Sequence, residues 1–508
     1  MQPTLLSLLQ GHAARTPDAP CLACGDTLLT FRDLDQRSSR LANVLIGQGV
    51  GAGDRVALLA HTAPIFYELT YACAKIGAIM APLNWRLSPR EIAQIVADAE
   101  PRLMLVDAAL ADLLADSSDA VPRIALDDLD RRCAAASPDF APRETDRDAP
   151  TLLLYTSGTT GVPKGVLISQ ANLSYVERMA REVWAFDATS VNLVAMPLFH
   201  IGGIGYGMMA LSQGGHTVLL DKLDPASIVE AVNRHHVTHG FFVPTVVQRL
   251  VDHVEAGGDA PRGLKRILYG AAPIGEPLLR RALALFGCAF SHAYGATETA
   301  GTVISLPPDQ HDPDGPTPER LRSCGRPLPW VELALVDPAT ERAVAIGEVG
   351  EIRIRSGMIT QGYWRKPDET AAAITSDGWL KTGDAAYRDA EGFVFIHDRY
   401  KDMIVSGGEN VYPTEIENVL GAHPAVGQVA VIGVPHAKWG ETPRAYVVPR
   451  AGTTPDAAEM IAYTRARLAH YKCPTSVRFV DALPQTASGK ILKKDLRALD
   501  RSRAGDSA

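Results

Sequence analysis

Between residues 152 and 294 the sequence alternates between short apolar runs and longer segments with helical spacing. The apolar runs have strand length and comprise LLLY at 152–155, VNLVA at 191–195, TVLL at 217–220, GFFV at 240–243 and RILYG at 266–270. The helix-like segments between several of them cover 224–235, 245–255 and 276–286. This alternation is typical of a parallel sheet covered by helices on both faces, with functional loops at the strand ends. The first 150 residues are patterned similarly, and GDRVALLA at 53–60 is a clear strand.

The pattern changes after about Gly301. A proline-rich polar stretch at 307–323 predicts a surface loop, and the short strand-like runs after it predict a small β subdomain. From about residue 402 the chain has its own helix-like and strand-like segments. We therefore predict an α/β protein with two domains. Residues 1–400 form a large N-terminal domain with parallel sheets covered by helices plus the small β subdomain, and residues 401–508 form a small α+β C-terminal domain.

The composition excludes several classes of protein. With 46% apolar and 21% charged residues, the 508-residue chain can bury large cores and is not disordered. Its formal net charge of −8 leaves no basic excess to bind a nucleic-acid backbone. The seven scattered cysteines argue against a disulfide framework, and no basic segment precedes the first apolar run as in a signal peptide. These features predict a cytoplasmic protein.

One long stretch, residues 188–220, contains no charged side chain other than histidine. Its length would allow a membrane-spanning helix, but Pro197, His200 and several glycines interrupt the apolar run. We predict a buried strand, turn and helix here and no transmembrane segment, although peripheral contact with a membrane is compatible with the sequence.

The segment YTSGTTGVPKG at 155–165 directly follows the strand-like run at 152–155 and is rich in Gly, Ser and Thr. Glycines let backbone N–H groups approach an anion, hydroxyl groups donate further hydrogen bonds, and Lys164 supplies a positive charge. The segment therefore predicts a polyphosphate-binding loop. It differs from the Walker A loop, because Pro163 occupies the position where that pattern requires glycine.

This loop resembles the signature loop of the acyl-activating, AMP-forming superfamily, which includes acyl-CoA synthetases, luciferases and nonribosomal adenylation domains. Further segments agree with that family in the same order: MPLFHIGG at 196–203, YGAAP at 269–273, AYGATETAG at 293–301, GEIRIRSG at 350–357, WLKTGD at 379–384, DRYKDMIVSGGENVYPTEIE at 398–417 and PQTASGKILK at 484–493. The resemblance covers nearly the whole chain.

The resemblance implies specific roles at the nucleotide. Lys490 is the implied catalytic lysine, Glu298 the Mg²⁺ ligand, and Thr297 and Lys164 contact the phosphates. Tyr294 is expected to stack on adenine, and Asp384 and Arg399 to bind the ribose. The implied nucleotide-binding residues are Thr156, Ser157, Gly158, Thr159, Thr160, Gly161, Lys164, Gly270, Ala271, Ala272, Tyr294, Gly295, Thr297, Asp384, Arg399 and Lys490.

The resemblance also implies a mobile C-terminal domain that rotates between two half-reactions. Lys401 is the implied hinge, close to the domain boundary. After rotation, Ser406, Gly407 and Gly408 would line the tunnel for CoA, and GGENVYP resembles the CoA-forming branch of the family.

The implied acyl pocket consists of small, apolar and aromatic residues with no Lys or Arg, so that a second carboxylate on the acid would be buried without a partner. Its residues are His200, Tyr206, Tyr269, Ala272, Ala293, Gly295, Gly301 and Thr302. Tyr269 is expected to close its far end.

We therefore predict an ATP-dependent acyl-CoA synthetase with Mg²⁺ as cofactor and ATP and CoA as co-substrates. A medium- or long-chain fatty acid is the favoured substrate, and an aryl acid is the alternative. A second alternative transfers the adenylate to a carrier protein. A non-enzymatic lipid-binding module is disfavoured because it would need none of Lys164, Glu298, Asp384 and Lys490. The sequence is compatible with a homodimer.

Overall fold

The computed structural model describes residues 3–141, 146–156, 163–272, 274–399, 402–406, 409–436, 438–486 and 491–505. Within these ranges the strands form four sheets, which we call the large sheet, the second sheet, the subdomain sheet and the C-terminal sheet. The α/β fold predicted from the sequence is confirmed.

The large sheet has the strand order β15-β14-β13-β12-β11-β9-β10-β1-β2. Its strands are β1 (Pro20–Cys24), β2 (Thr27–Thr30), β9 (Val191–Val194), β10 (His216–Leu219), β11 (His239–Phe242), β12 (Arg266–Gly270), β13 (Ala289–Ala296), β14 (Gly301–Leu306) and β15 (Arg326–Pro327). The six inner strands, β1, β10, β9, β11, β12 and β13, pair in parallel. Strand β2 at one edge, and β14 and β15 at the other, pair in antiparallel.

Helices cover both faces of the large sheet. Those that connect its strands are α8 (Ile201–Ser212), α9 (Pro225–His235), α10 (Pro244–Glu255) and α11 (Glu276–Phe286). The step from β9 to β10 runs in the opposite direction along the sheet from the steps that lead through β11 and β12 to β13. Because parallel crossovers are right-handed, α8 lies on one face and α9, α10 and α11 lie on the other. Four further helices of the N-terminal region are α1 (Leu5–Arg15), α2 (Phe31–Gly47), α6 (Gln170–Leu173) and α7 (Tyr175–Glu182).

The second sheet has the order β6-β5-β3-β4-β7-β8 and is parallel except for the final hairpin. Its strands are β3 (Arg55–Leu59), β4 (Ile79–Pro82), β5 (Leu103–Val106), β6 (Arg123–Ala125), β7 (Pro150–Thr156) and β8 (Lys164–Ser169), with helices α3 (Ile65–Ile76), α4 (Pro89–Ala99) and α5 (Leu126–Ala135). Helix α4 shows how local sequence starts an element: the Ser88 hydroxyl accepts from the Glu91 N–H, and the Glu91 carboxylate accepts from the Ser88 N–H.

The subdomain sheet is antiparallel, with the order β17-β16-β18-β19-β20. Its elements are β16 (Glu332–Asp337), β17 (Arg342–Ala343), β18 (Gly350–Arg355), α12 (Pro367–Ala373), β19 (Leu380–Arg388) and β20 (Val394–Arg399). This sheet confirms the predicted small β subdomain.

The C-terminal sheet contains β21 (Ile404–Ser406), β22 (Glu409–Val411), β23 (Val426–His436), β24 (Gly440–Pro449) and β25 (Ser476–Phe479), with helices α13 (Pro413–Gly421), α14 (Ala457–Arg465) and α15 (Lys493–Gly505). It has its own hydrophobic cores, which include Ile416, Val447 and Met460 on one side and Tyr446 and Leu496 on the other. The boundary near residue 400 stays a prediction.

The charge-free stretch folds as β9, α8 and β10, in agreement with the prediction of strand, turn and helix. Helix α8 has 12 residues. Among the described residues, no helix is both long and apolar enough to cross a membrane.

Candidate active site

The predicted phosphate loop connects the two strands of the β7–β8 hairpin. Thr156, the last residue of β7, pairs across the hairpin with Lys164, the first residue of β8. Ser157, Gly158, Thr159, Thr160 and Gly161 lie outside the described residues. The hairpin therefore places both ends of the predicted loop at the same edge of the second sheet.

Lys164 and Glu298 are joined through Tyr363. The Lys164 ammonium lies 5.1 Å from the centre of the Tyr363 ring and 2.5 Å from Oε2 of Glu369. The Tyr363 hydroxyl donates to Oε1 of Glu298 at 3.0 Å. Burial and the Glu298 carboxylate raise the pKa of Tyr363, so this phenol stays protonated as a donor at neutral pH. The predicted phosphate lysine and the predicted metal ligand thus share one neighbour.

Backbone hydrogen bonds hold the segment 360–364 between these two residues. The Trp364 N–H donates to the Gly165 carbonyl at 2.7 Å, and the Thr360 N–H donates to the Glu298 carbonyl at 2.8 Å. Neither Tyr363 nor Glu369 was predicted from the sequence. No local signal could have indicated them, because each reaches its partner from a distant part of the chain.

Glu298 and Thr297 follow directly from the end of β13. They occupy a single 3₁₀ turn at residues 297–299, and both side chains are half-buried. Among the described residues there is no group of three or more His, Cys, Asp or Glu side chains that could hold a metal ion. A single carboxylate fits Mg²⁺ nonetheless, because Mg²⁺ in nucleotide sites takes its other ligands from phosphates and water.

Close backbone packing shapes the neighbouring strand ends. A Cβ atom on Gly270 would lie 2.0 Å from the Ala293 carbonyl oxygen, and one on Gly295 would lie 1.9 Å from that of Gly301. Ala271 follows with a φ of 63°, a left-handed conformation that directs the chain away from the sheet. The predicted residues Gly270, Ala271 and Ala272 therefore form an abrupt turn at the carboxyl end of β12.

The residues predicted to bind adenine and ribose lie next to one another. The Tyr294 hydroxyl donates to Oδ2 of Asp384 at 2.6 Å. Burial and the Asp384 carboxylate raise the pKa of Tyr294 well above its ordinary value. Asp384 pairs with Arg399 in the antiparallel register of β19 and β20. The structure thus brings Tyr294, Asp384 and the Arg399 backbone together at the junction between the large sheet and the subdomain sheet.

A narrow cavity of ≈ 40 Å³ lies beneath α8, on the face of the large sheet that α8 covers. Four predicted pocket residues line it: Tyr206, Ala293, Gly301 and Thr302. The other lining residues are Val176, Trp184, Ile201, Gly202, Gly205, Met209, Phe241 and Ala300. Sequence analysis had not assigned Val176, Trp184, Met209 or Phe241, which come from separate elements.

His200, Ala272 and Gly295 were predicted for this pocket but do not line the cavity. His200 immediately precedes α8, and its ring packs against Phe199 with centroids 4.7 Å apart. Burial and the nearby Arg86 charge lower the pKa of His200 to about 4, so its ring is neutral at physiological pH. Ala272 and Gly295 remain at the strand ends described above.

Tyr269, which was predicted to close the far end of the acyl pocket, does not line this cavity. Tyr269 is fully buried and pairs with His292 in the parallel register of β12 and β13, whereas the cavity-lining Ala293 pairs with Gly270. Successive side chains on a strand point to opposite faces, so Tyr269 lies on the face away from the cavity. Its hydroxyl is 3.0 Å from Nε2 of His311, whose Nδ1 is 2.9 Å from the Pro307 carbonyl. A neutral His311 donates from Nδ1, so Nε2 accepts from Tyr269.

The predicted second-step residues are only partly described. Ser406 is buried at the end of β21 and pairs with Glu409 in a hairpin. Gly407, Gly408, the predicted hinge Lys401 and the predicted catalytic Lys490 lie outside the described residues. Their assigned roles stay predictions.

Two family models match this chain. One, described as AMP-binding enzyme, matches residues 9–364, and the other, described as AMP-binding enzyme C-terminal domain, matches residues 415–490.

Relatives of similar length match nearly the whole sequence. The chain is 38% identical to a feruloyl-CoA synthase from an Amycolatopsis species, over 96% of this chain and 97% of the relative. It is 35% identical to the fatty acid–[acyl-carrier-protein] ligase ScoC from Streptomyces coeruleorubidus, over 99% of this chain and 97% of the relative.

Solved structures share the fold. ATP-bound MatB from Rhodopseudomonas palustris matches with a TM-score of 0.89 and 32% identity, covering 98% of this chain and 99% of that one. The o-succinylbenzoate CoA synthetase MenE from Bacillus subtilis, in complex with its acyl-adenylate intermediate OSB-AMP, matches with a TM-score of 0.84 and 31% identity, covering 96% and 97% of the two chains.

Proposed function

Because this chain belongs to the AMP-binding enzyme family and is an AMP-forming acid–thiol ligase, we propose that it joins a carboxylic acid to CoA through an acyl-adenylate. In the first step a carboxylate oxygen attacks the α-phosphorus of ATP, and the bond to pyrophosphate breaks. In the second step the CoA thiol attacks the acyl carbon, AMP leaves with the bonding electrons, and the thiol proton is lost.

The observation that carries this proposal is the convergence of four predicted site residues: Lys164 at the start of β8, Tyr294 and Glu298 at the carboxyl end of β13, and Asp384 in the middle of β19. In the proposed reaction Lys164 exchanges Glu369 for phosphate oxygens. Glu298 would hold Mg²⁺, which would neutralise phosphate charge when bound. Positioning and charge stabilisation account for most catalysis of such displacements. Lys490 is proposed to stabilise the charge that passes from the acid to pyrophosphate.

The class of acid is also a proposal. The sequence favours a medium- or long-chain fatty acid, and relatives include both a fatty acid ligase and a feruloyl-CoA synthase. The cavity of ≈ 40 Å³ is far smaller than the roughly 300–1,000 Å³ common for ligand pockets, so any acid must displace lining side chains. The walls include Trp184, Tyr206 and Phe241. A flat ring requires the least displacement between such walls, so we favour an aryl acid over a long alkyl chain.

ATP–pyrophosphate exchange with a panel of acids tests the first step. We expect exchange with Mg²⁺ present, and more rapid exchange with benzoate or cinnamate derivatives than with octanoate or decanoate. Exchange with none of these acids would contradict the proposal. Fatty acids as the best substrates would restore the prediction made from the sequence.

The acceptor of the second step is tested separately. We propose CoA, because GGENVYP at 407–413 resembles the CoA-forming branch. AMP release that depends on CoA supports this acceptor. AMP release that requires a phosphopantetheinylated carrier protein, with CoA inactive, would instead favour the alternative of carrier loading. A homodimer and a cytoplasmic location also stay predictions.

A further inference from the structure

Two hydrogen-bonding groups at the acyl cavity have no protein partner. The Trp184 indole N–H and the Tyr206 hydroxyl are both buried, and neither has a hydrogen-bond partner among the residues that the structure describes. Their side chains are only 3% and 4% exposed, and both residues line the cavity under α8. A buried polar group without a partner is costly, so two beside one cavity indicate a ligand that satisfies them.

The rest of the cavity wall is apolar or small. Tyr206 packs its ring against Phe241 with centroids 5.3 Å apart and against Trp184 with centroids 6.4 Å apart. None of the lining residues carries a charge. Trp184 and Tyr206 therefore each bring an unpartnered hydrogen-bonding group to the wall of a cavity whose other lining residues are apolar or small.

The chemistry of the two groups defines what they can bind. An indole N–H only donates, so its partner must accept a hydrogen bond. Burial raises the pKa of Tyr206 well above its ordinary value, so its hydroxyl also carries a proton to donate. A single oxygen atom with two lone pairs can accept from both donors.

We propose, on the basis of the proposed function above, that the substrate is an aryl acid whose ring carries an oxygen substituent, such as a hydroxyl or methoxy group, and that Trp184 and Tyr206 recognise this oxygen. The carboxylate lies toward the nucleotide, near Ala293, and the ring oxygen lies at the end formed by Trp184 and Tyr206. An alkyl chain would leave both donors without partners. A second carboxylate would enter a cavity without a lining cation.

The wild-type enzyme gives the first test. Its kcat/KM for acyl-CoA formation is measured with 4-hydroxycinnamate and 4-methylcinnamate, which differ by a hydroxyl and a methyl group of similar size. We expect the hydroxylated acid to be preferred by about tenfold or more, because the methyl group leaves buried donors unsatisfied. Equal values, or preference for the methyl compound, would overturn the proposal. Equal values are also the result expected if an ordered water satisfies the two donors.

Two variants remove only the polar atoms. Trp184→Phe and Tyr206→Phe should each reduce the preference for the hydroxylated over the methylated acid by roughly three- to tenfold. The matched control is Tyr269→Phe, which removes a buried hydroxyl on the opposite face of the same sheet and should leave the ratio of the two acids unchanged. An unchanged ratio in both cavity variants, with the wild-type melting temperature retained, would refute the assignment.

A competition assay uses only the wild-type enzyme, so its result does not require any variant to fold. In wild-type enzyme, 4-methylphenol should inhibit competitively against the acid at a concentration several-fold lower than that required for 1,4-dimethylbenzene. Equal inhibition would contradict the proposed recognition of oxygen. If the enzyme catalyses ATP–pyrophosphate exchange with any acid, it forms an acyl-adenylate. Equal inhibition by the two compounds would then contradict only the recognition of oxygen and not the proposed ligase function.

Discussion

The contact between Tyr363 and Glu298 gives a prediction whose size follows from the structure. Tyr363→Phe removes the hydroxyl that donates to Glu298 at 3.0 Å but keeps the ring 5.1 Å from the Lys164 ammonium. Neighbouring hydrogen bonds orient metal ligands, and their loss commonly costs about 10–100-fold in metal affinity or activity. Because Tyr363 and Glu298 are both half-buried and water can replace the phenol, we expect the lower end of this range.

The assay is ATP–pyrophosphate exchange as a function of Mg²⁺ concentration. We expect half-maximal exchange of the Tyr363→Phe variant at a Mg²⁺ concentration about tenfold higher than for wild type, which corresponds to ~1.4 kcal/mol. Tyr363→Leu also removes the ring beside Lys164. The loss of this cation–π contact, about 0.5–1 kcal/mol, should raise the KM for ATP by a further two- to fivefold.

Tyr446→Phe is the matched control. Its hydroxyl also donates to a carboxylate, Oδ1 of Asp500 at 2.5 Å, but in the core of the C-terminal domain. This variant should lower the melting temperature and leave the Mg²⁺ dependence of exchange as in wild type. If Tyr363→Phe has a wild-type Mg²⁺ dependence, or needs less Mg²⁺, then Tyr363 does not position Glu298 and the reasoning fails.

Four further substitutions test the site. Glu369→Gln should lower the KM for ATP by up to about fivefold, because it releases Lys164 from a half-buried ion pair of about 1 kcal/mol or less. A higher KM in steady-state assays would show that Glu369 helps to position the lysine. Lys490→Ala should slow adenylation by roughly 10²–10³-fold yet convert supplied acyl-AMP and CoA at near wild-type rate, and equal loss in both half-reactions would contradict its role. Lys401→Pro should largely keep adenylation but lose thioester formation in single-turnover assays, because proline fixes φ near −65° and opposes the rotation between the two steps. Wild-type rates of both half-reactions would exclude Lys401 as the hinge. Tyr269→Ala should destabilise the protein by about 3–5 kcal/mol in denaturant unfolding and leave the order of preferred acids unchanged, and a shift toward longer acids would contradict the orientation described here.

Much of the fold was predictable because apolar periodicity is local. The run predicted at 266–270 forms β12 at Arg266–Gly270, and the helix predicted at 276–286 forms α11 at Glu276–Phe286. The direction of Tyr269 was not predictable. Strands of a parallel sheet covered on both faces are apolar throughout, so the run RILYG contains no alternation that would indicate which side chains face the cavity.

The candidate site was predictable where a motif carried its residues. Glu298, Tyr294 and Asp384 could be assigned because each lies within a segment that resembles the family. Tyr363 and Trp184 were missed for a physical reason. Their significance comes from contacts across the folded chain, such as the hydrogen bond from Tyr363 to Glu298 over 65 residues, and no spacing in the sequence encodes such a pair.

The glycine-rich helix α8 over the cavity affects how readily the enzyme could acquire new substrates. A Cβ atom on Gly202 would lie 3.3 Å from a ring carbon of Phe241, and one on Gly205 would lie 3.0 Å from the terminal methyl of Ile201. Both contacts are with side chains that can shift, whereas a Cβ on the neighbouring Gly203 would lie 2.1 Å from the Pro197 carbonyl oxygen. Single methyl groups at positions 202 and 205 could therefore narrow the pocket without displacing the helix. Two single-codon changes at one helix give natural selection, or a directed-evolution library, a short route to smaller acids.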